Sequence, residues 1–431
     1  SISSFRKSLQ ENIDIRAKKN IEPEILNHEE VENLCLELMY PKNEDKEFLL
    51  YQFENRIMPG VDSTSKLKAN FLYDIASFDI SSPLIGPLDA IRLLGTMQGG
   101  YNTEALIKLF NISDYSKYVA HELKNNILMF DHYYNIEKKY NEGNIHAKEI
   151  LQSWADAEWF TNKPKLQEKI TLTAFKVTGE INTDDLSPAQ DAWSRPDIPL
   201  HALSMLKNPR LNIEPNVPYE IGPLDTINKL KELNNPIAFV GDIVGTGSSR
   251  KSATNSLLHY FGESIPYVPN KKKGGVCIGG KIAPIFFNTM EDSGALPIEM
   301  DVTNINMGSI IDIYPYEGIT RDHNTNELLC KWNLKSDTLF DSVRVGGRIN
   351  LIIGKSLTQK AQNTLKKNNM SFFIDPNKHI VKDNANSNNG YTLAQKIVGK
   401  ACNKDGILPG TYCEPLITSV GSQDTTGPMT R

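Results

Sequence analysis

Several absences narrow the reading of this 431-residue chain at once. Its five cysteines (Cys35, Cys277, Cys330, Cys402, Cys413) are an odd, scattered set with no C-x-x-C, which speaks against a disulfide scaffold or a zinc ribbon. Its eight histidines show no H-E-x-x-H or other paired spacing, so a histidine metal site has no support. No apolar run approaches the ~18 residues of a membrane span, which excludes transmembrane and tail-anchored readings. The start, Ser1-Ile2-Ser3-Ser4-Phe5-Arg6-Lys7, lacks the basic-then-apolar order of a secretory signal, and the chain reads as cytoplasmic. No charge of one sign dominates either. Lys plus Arg number 47 against 52 Asp plus Glu, a net charge of −5. That excludes a histone-like or polybasic protein but leaves local RNA contacts open.

What is present is an ordinary folded composition, 39% hydrophobic and 23% charged. At about 150 residues per domain the length suggests roughly three domains, with room for more than one core. Residues 1–165 carry helical spacing: apolar residues recur at spacings of three and four among Val31, Leu34, Leu36 and Leu38, among Leu67, Phe71, Leu72 and Ile75, and among Leu106, Ile107, Leu109 and Phe110. Pro41, Pro59-Gly60, Gly86-Pro87 and Gly99-Gly100 punctuate these stretches. Asn102 and Asp114 fit as N-caps, and Pro87 fits a first helical position. Short amphipathic helices bury their stripes only by stacking on one another, which predicts a HEAT-like array. Two longer helices are expected near 115–140 and 144–161. The second brings Trp154, Trp159 and Phe160 to pack against the next domain.

The texture changes near Pro164. Lys169–Phe175 alternates and is β-branched, as a strand should be. Ile237–Val240, Ile310–Tyr314 and Ile349–Ile353 are further strand candidates, with helical stretches near 251–261, 283–294 and 356–367. These make an α/β domain over 166–370. Residues 371–390 turn polar and read as a linker, followed by a helix signal at Leu393–Val398. The last residues, Thr430-Arg431, complete no element, which reads as a chain cut short within a third domain, 371–431.

The sharpest motif is Gly241-Asp242-Ile243-Val244-Gly245-Thr246-Gly247-Ser248-Ser249-Arg250-Lys251-Ser252, between a strand and a helix. Glycines turn the backbone tightly, the helix start adds partial positive charge, and Arg250 adds a full one, together an anion site. A Walker loop would need glycine where Arg250 stands, and a dinucleotide fingerprint would need a third glycine there, so a P-loop reading fails. Taken alone, the loop is also readable as a glycine turn with a solvated arginine. Asn182-Thr183-Asp184-Asp185-Leu186-Ser187-Pro188 is by itself an acidic turn or helix cap. Arg195 precedes Pro196, which predicts an extended backbone and a side chain projecting from a loop, either as a carboxylate clamp or as a surface arginine. Lys271-Lys272-Lys273-Gly274-Gly275 reads as a solvated loop, with RNA phosphate contact as the alternative.

These segments, in this order, resemble the bacterial aconitase B family of [4Fe–4S] aconitate hydratases. The likeness extends over Gly95–Asn102, Gln152–Phe160, Lys176–Glu180, Asp191–Leu200, Gly279–Thr289 and Gly421–Arg431. Arg250-Lys251-Ser252 stands where many wider relatives have Arg-Glu-His, a departure the B type shares. The resemblance implies a multidomain α and α/β architecture: a HEAT-like helical domain (1–165), a swivel domain (166–370), then a linker and the beginning of an α/β catalytic domain (371–431).

It further implies reversible isomerisation of citrate to isocitrate through cis-aconitate in the tricarboxylic acid cycle. It leaves open hydration of 2-methylaconitate to 2-methylisocitrate. By the same match Ser248 is the catalytic base. Arg195, Ser248, Ser249, Arg250, Gln423, Asp424 and Thr425 bind substrate. The three cluster cysteines of the family lie beyond these residues, so no metal ligand and no cofactor are expected on this chain, which alone should be inactive. Cys402 and Cys413 are read as structural. A homodimer through the helical domain is implied. The competing function is an RNA-binding or dimerising module, with messenger RNA bound in the cluster-free form.

Overall fold

Helical spacing in the first third becomes a stack of short helices running from Ile2–Lys18 to Glu158–Thr161. The computed structural model describes residues 2–208, 222–376 and 390–421. The chain divides into two units, Ser1–Leu334 with Leu339–Phe372, and Lys335–Thr338 with Phe373–Arg431. In the stack, local chemistry starts the helices as it should. Asn27 and Glu30 cap His28–Met39 reciprocally, with bonds of 2.9 and 3.1 Å. Asp62 caps Ser63–Ala76, and Pro87 opens Pro87–Gly95. Val31, Leu34, Leu38, Phe53, Leu72 and Leu94 are fully buried between helices.

Two expected caps are corrected. Asn102 lies inside the helix Gly100–Phe110, which Gly99 caps at φ 104°. The Asn102 side chain is buried and donates to Leu94 O and Met97 O, both at 3.0 Å, so it closes the preceding helix instead. Tyr115, not Asp114, caps Ser116–Leu123. The long helix expected at 115–140 is two, Ser116–Leu123 and Tyr133–Asn141. Asn126 makes the break: its side chain accepts from Leu128 N and donates to Thr103 Oγ1, competing with the helix backbone. The stretch 144–161 also divides, at Ala157, which sits left-handed at φ 51°.

The α/β part is built on a seven-stranded sheet. Its strands are β1 (Ile170–Asn182), β2 (Ile237–Thr246), β5 (Val276–Ile282), β6 (Leu296–Glu299), β7 (Ile310–Tyr314), β8 (Ile319–Asp322) and β9 (Leu328–Lys331), in the order β6-β5-β2-β1-β7-β8-β9. A separate ribbon pairs β3 (Glu263–Ser264) with β4 (Lys272–Lys273). The β6-β5-β2-β1 half is parallel and the β7-β8-β9 half antiparallel. Phe175, Phe239 and Phe261 meet in its core, ring centroids 5.7–6.2 Å apart.

The expected strand at Ile349–Ile353 is instead the start of a helix, Arg348–Thr364. Its buried positions, Leu351, Gly354, Leu357, Thr358 and Ala361, lie three and four apart on one face. That face docks on the helical stack, where Leu357 and Ala361 join the buried cluster. A Cβ at Gly354 would collide with the Trp159 ring. Trp159 Nε1 donates to Thr358 Oγ1 at 2.9 Å, and Thr358 Oγ1 donates to Trp154 O at 2.7 Å. Tertiary packing thus overrides β-branched propensity. Trp159 does pack against a later segment, as expected. The Trp154 ring stays within the stack, donating to Leu123 O and lying beside Tyr133.

Among the described residues, Lys68 is a buried cation of the stack without a hydrogen-bond partner. Lys68 Nζ lies 5.1 Å from the Phe53 ring centroid and makes no hydrogen bond. Burial pushes its pKa down to about 8, only partly offset by the Glu54 carboxylate. The unfolded chain binds this proton more tightly, so the penalty is full below about pH 8 and vanishes above the unfolded value near 10.5. Lys68→Met is therefore expected to stabilise the chain by about 2–3 kcal/mol at pH 7 and by much less near pH 10.5. Urea unfolding of both chains at the two pH values checks this. An equal effect at both would mean that the buried charge is not the cause.

Candidate active site

The glycines of the sharp motif are required by geometry. Gly245 and Gly247 sit at φ +85° and +94°, and a Cβ on Gly245 would collide with Phe286. The loop they form leads into the helix Lys251–Phe261, whose cap residue Arg250 makes no side-chain cap bond.

Parallel pairing of β1 with β2 sets Asn182 opposite Thr246 and so brings the two motif loops side by side. Asn182 and Asp185 cap the one-turn helix Thr183–Leu186 reciprocally, each bond 2.9 Å, which settles Asp185 as a cap. Thr183 Oγ1 donates to Ser248 O at 2.8 Å. Arg250 Nη1 donates to Asp184 Oδ1 at 2.7 Å and to Ser187 O at 2.8 Å. Arg250 is thus a fastened cation, and its guanidinium holds the Asp184 carboxyl below the ordinary range.

Arg195 departs from expectation. Its backbone is helical, φ −53° and ψ −36°, despite Pro196. It closes the 3-10 helix Ala189–Ser194, donating its N–H to Ala192 O, and the turn continues through Asp197 N to Ser194 O at 2.9 Å. Those bonds outweigh the steric preference before proline. Among the described residues, Arg195 Nε is buried with no hydrogen-bond partner. Burial lowers the arginine's pKa and the neighbouring Arg250 lowers it further, with Asp184 opposing both. Only Arg250 bonds the Asp184 carboxylate among the described residues; Arg195 stands near enough to feel both charges.

Beneath them lies a network that sequence reasoning missed. His201, almost wholly buried, is held between Ser187 Oγ (2.7 Å to Nε2) and Ser194 Oγ (2.9 Å to Nδ1). Ser187 Oγ also bonds Ser252 Oγ at 2.6 Å. Burial, then Arg195, lowers the His201 pKa and favours the neutral ring. No short motif marks His201, because its partners Ser187 and Ser194 lie 14 and 7 residues away.

Ser248, Ser249 and Arg250 line a cleft of about 280 Å³ together with Thr183, Gly245–Gly247, Ala283–Phe286 and Thr289. Both serines are exposed. Arg195 lies beside Arg250 and Asp184. Gln423, Asp424 and Thr425 lie outside the described residues. The Lys271–Lys273 run is half-buried rather than a solvated loop. Lys272 stands 3.7 Å from Glu22 of the helical stack, and burial lowers the Lys271 pKa. Among the described residues no three His, Cys, Asp or Glu side chains come together to hold a metal, and no helix is long and apolar enough to cross a membrane.

Residues 172–391 match the family described as aconitate hydratase 2 N-terminus, and residues 8–160 match the aconitate B N-terminal domain. Aconitate hydratase B of Escherichia coli (strain K12) is 55% identical over 430 residues, covering 100% of this chain and 49% of its own length. The aconitate hydratase B of Pseudomonas aeruginosa is 52% identical over 433 residues, 100% of this chain and 49% of its own. That of Helicobacter pylori (strain J99) is 48% identical over 436 residues, 100% and 48%. The chain spans about half the length of the curated relatives it matches. A solved 3-isopropylmalate dehydratase from Methanocaldococcus jannaschii covers 45% of this chain and 99% of its own, at 19% identity and a TM-score of 0.32, too loose a likeness to bear on the fold. With both family domains matched along one chain, the protein belongs to the aconitate hydratase B family.

Proposed function

We propose that this chain supplies the base and the carboxylate-gripping cations of an aconitate hydratase that interconverts citrate and isocitrate through cis-aconitate in the tricarboxylic acid cycle. One observation carries the reading: Arg250 bonds the single carboxylate of Asp184 at the edge of a serine-lined cleft, and beside them the buried Arg195 Nε has no acceptor among the described residues. A tricarboxylate provides the missing negative charge and the missing acceptor, and guanidinium forks match carboxylates at two points. Ser248 Oγ takes the proton from the carbon next to a carboxylate. Its alkoxide needs N–H donors and positive charge close by, which the Ser249–Arg250 backbone and the arginine pair provide. Ser249 and Arg250 grip one carboxylate and Arg195 a second, with Gln423, Asp424 and Thr425 contributing polar contacts.

A [4Fe–4S] cluster, the group this family implies, does not fit the residues described: their cysteines are scattered and none joins a three-ligand group. Its ligands therefore belong to residues outside these. In the same reading the helical stack is HEAT-like and provides the homodimer face.

Anaerobic reconstitution with iron and sulfide, followed by a citrate-to-aconitate assay, tests the proposal. The 431-residue chain alone should acquire no cluster and show no turnover. A protein that also carries the remaining half of its relatives' length should show both. Stoichiometric cluster on the chain alone, or no turnover in the longer protein, would sink the reading.

A further inference from the structure

The hydrogen bonds around His201 have a direction that can be followed atom by atom. Ser194 Oγ donates its one proton to Asp191 O at 2.8 Å, so toward the ring it can only accept. His201 Nδ1, 2.9 Å from that oxygen, therefore carries the ring proton. In the neutral ring Nε2 is then an acceptor, and Ser187 Oγ donates to it at 2.7 Å. Having spent its proton there, Ser187 Oγ accepts from Ser252 Oγ, 2.6 Å away. One directed chain runs from Ser252 through Ser187, His201 and Ser194 to Asp191, and each link fixes the proton of the next. Ser187, Ser194 and His201 are each 5% exposed or less, which leaves little room for water to replace a link.

Both arms of the chain lead to an arginine. Ser187 holds the ring with its hydroxyl, and with its carbonyl it accepts from Arg250 Nη1 at 2.8 Å. Ser194 immediately precedes Arg195, and its carbonyl accepts from Asp197 N at 2.9 Å to close the turn that carries Arg195. His201 N donates to Asp197 O at 2.8 Å, so the ring is fixed to the same turn by its own backbone. His201 itself does not line the cleft.

We propose that His201, with its proton on Nδ1, is a positioning residue: by bridging Ser187 and Ser194 it sets the spacing of Arg250 and Arg195 for two carboxylates of one substrate. The inference rests on the aconitate hydratase reading for the substrate, whereas the order of protons does not. An imidazole suits the task because it offers a donor and an acceptor on one rigid plane. Phenylalanine fills the same space with neither. Glutamine offers both on a flexible stem.

Two measurements test this. The first uses the 431-residue chain labelled with nitrogen-15 in its eight histidines. Proton–nitrogen correlation at neutral pH should show one ring protonated at Nδ1 alone, and His201→Phe should lose that signal. A His201 ring protonated at Nε2, or one averaging between the two forms, overturns the order of protons. The second uses the protein that also carries the remaining half of its relatives' length. There His201→Phe should raise KM for citrate about tenfold or more while kcat falls less than about threefold, because arginine contacts hold bound substrate and transition state alike. A purely structural role would lower the amount of folded enzyme, and so the apparent kcat, and leave KM unchanged. His201→Gln should return KM to within about threefold of the parent value, since its amide can serve both serines. Should His201→Phe not fold, Ser194→Ala frees only the Nδ1 end and should raise KM about threefold through the loss of one hydrogen bond. An unchanged KM in the folded variant, in a parent that turns over citrate, overturns the positioning role and leaves the aconitase reading standing. A parent without turnover overturns that reading, and the positioning role with it, whichever nitrogen carries the proton.

Discussion

Ser248→Ala, in a protein that also carries the remaining half of its relatives' length, is expected to lower citrate turnover by about a hundredfold or more while KM changes little. General-base catalysis typically contributes about 10²–10⁴ in rate, and nearly all of it acts in the transition state. The substitution should leave the loop in place. Ser248 Oγ is exposed, and it is the Ser248 carbonyl, unchanged in alanine, that accepts from Thr183 Oγ1. Arg250→Lys should behave differently. Arg250 Nη1 already bonds both Asp184 and the Ser187 carbonyl, and a guanidinium reaches a carboxylate at two points where an ammonium cannot. That variant should raise KM as well as lower kcat. Steady-state rates from citrate and from isocitrate separate the two patterns. If the alanine variant kept most of its turnover, Ser248 would not be the base.

Arg16→Met should cost the chain about 2–4 kcal/mol of stability, the largest effect expected of any substitution outside the cleft. Arg16 is 5% exposed and spends its fork on one partner: Nη1 and Nη2 donate to the two oxygens of Asp197 at 2.7 and 2.8 Å. Nε donates to Glu22 O at 2.8 Å. Removing it leaves the partly buried Asp197 carboxylate without its cation, and the cost of its desolvation remains. Because Asp197 keeps some solvent, the lower part of that range is expected. Asp197 stands two residues after Arg195 and caps Ile198–Ala202, so the pair also anchors the segment that carries Arg195. Arg16→Lys should recover only part of the loss, since the ammonium lacks the fork. Urea unfolding of Arg16→Met, Asp197→Asn and the double variant measures the coupling between them. A single-variant loss below about 0.5 kcal/mol would show the clamp to be inert.

Much of the candidate site is readable in the chain because its parts are local. The Gly245–Arg250 loop needs its glycines for its own backbone angles, and Asn182 with Asp185 form a cap across three residues. The character of Asp184 is not readable, because the cation that binds it is 66 residues away. Arg195 was misread for a related reason. The preference before proline is a local bias, and the 3-10 turn that overrides it depends on where residues 189–202 pack.

The sequence by itself determined the order of helices, then strands, the turn chemistry between them and the anion-seeking loop. Each of these follows from periodicity or from residues within a few positions of one another. Tertiary structure alone decided that Ile349–Ile353 is helical, because its buried face exists only against Trp159 and the helix Ile145–Ala155. It alone decided that Arg16 clamps Asp197 across 181 residues and that Arg250 bonds Asp184 across 66. Those pairings carry no local signature. They arise where parallel pairing of β1 and β2 and the docking of the helical stack bring distant charges together.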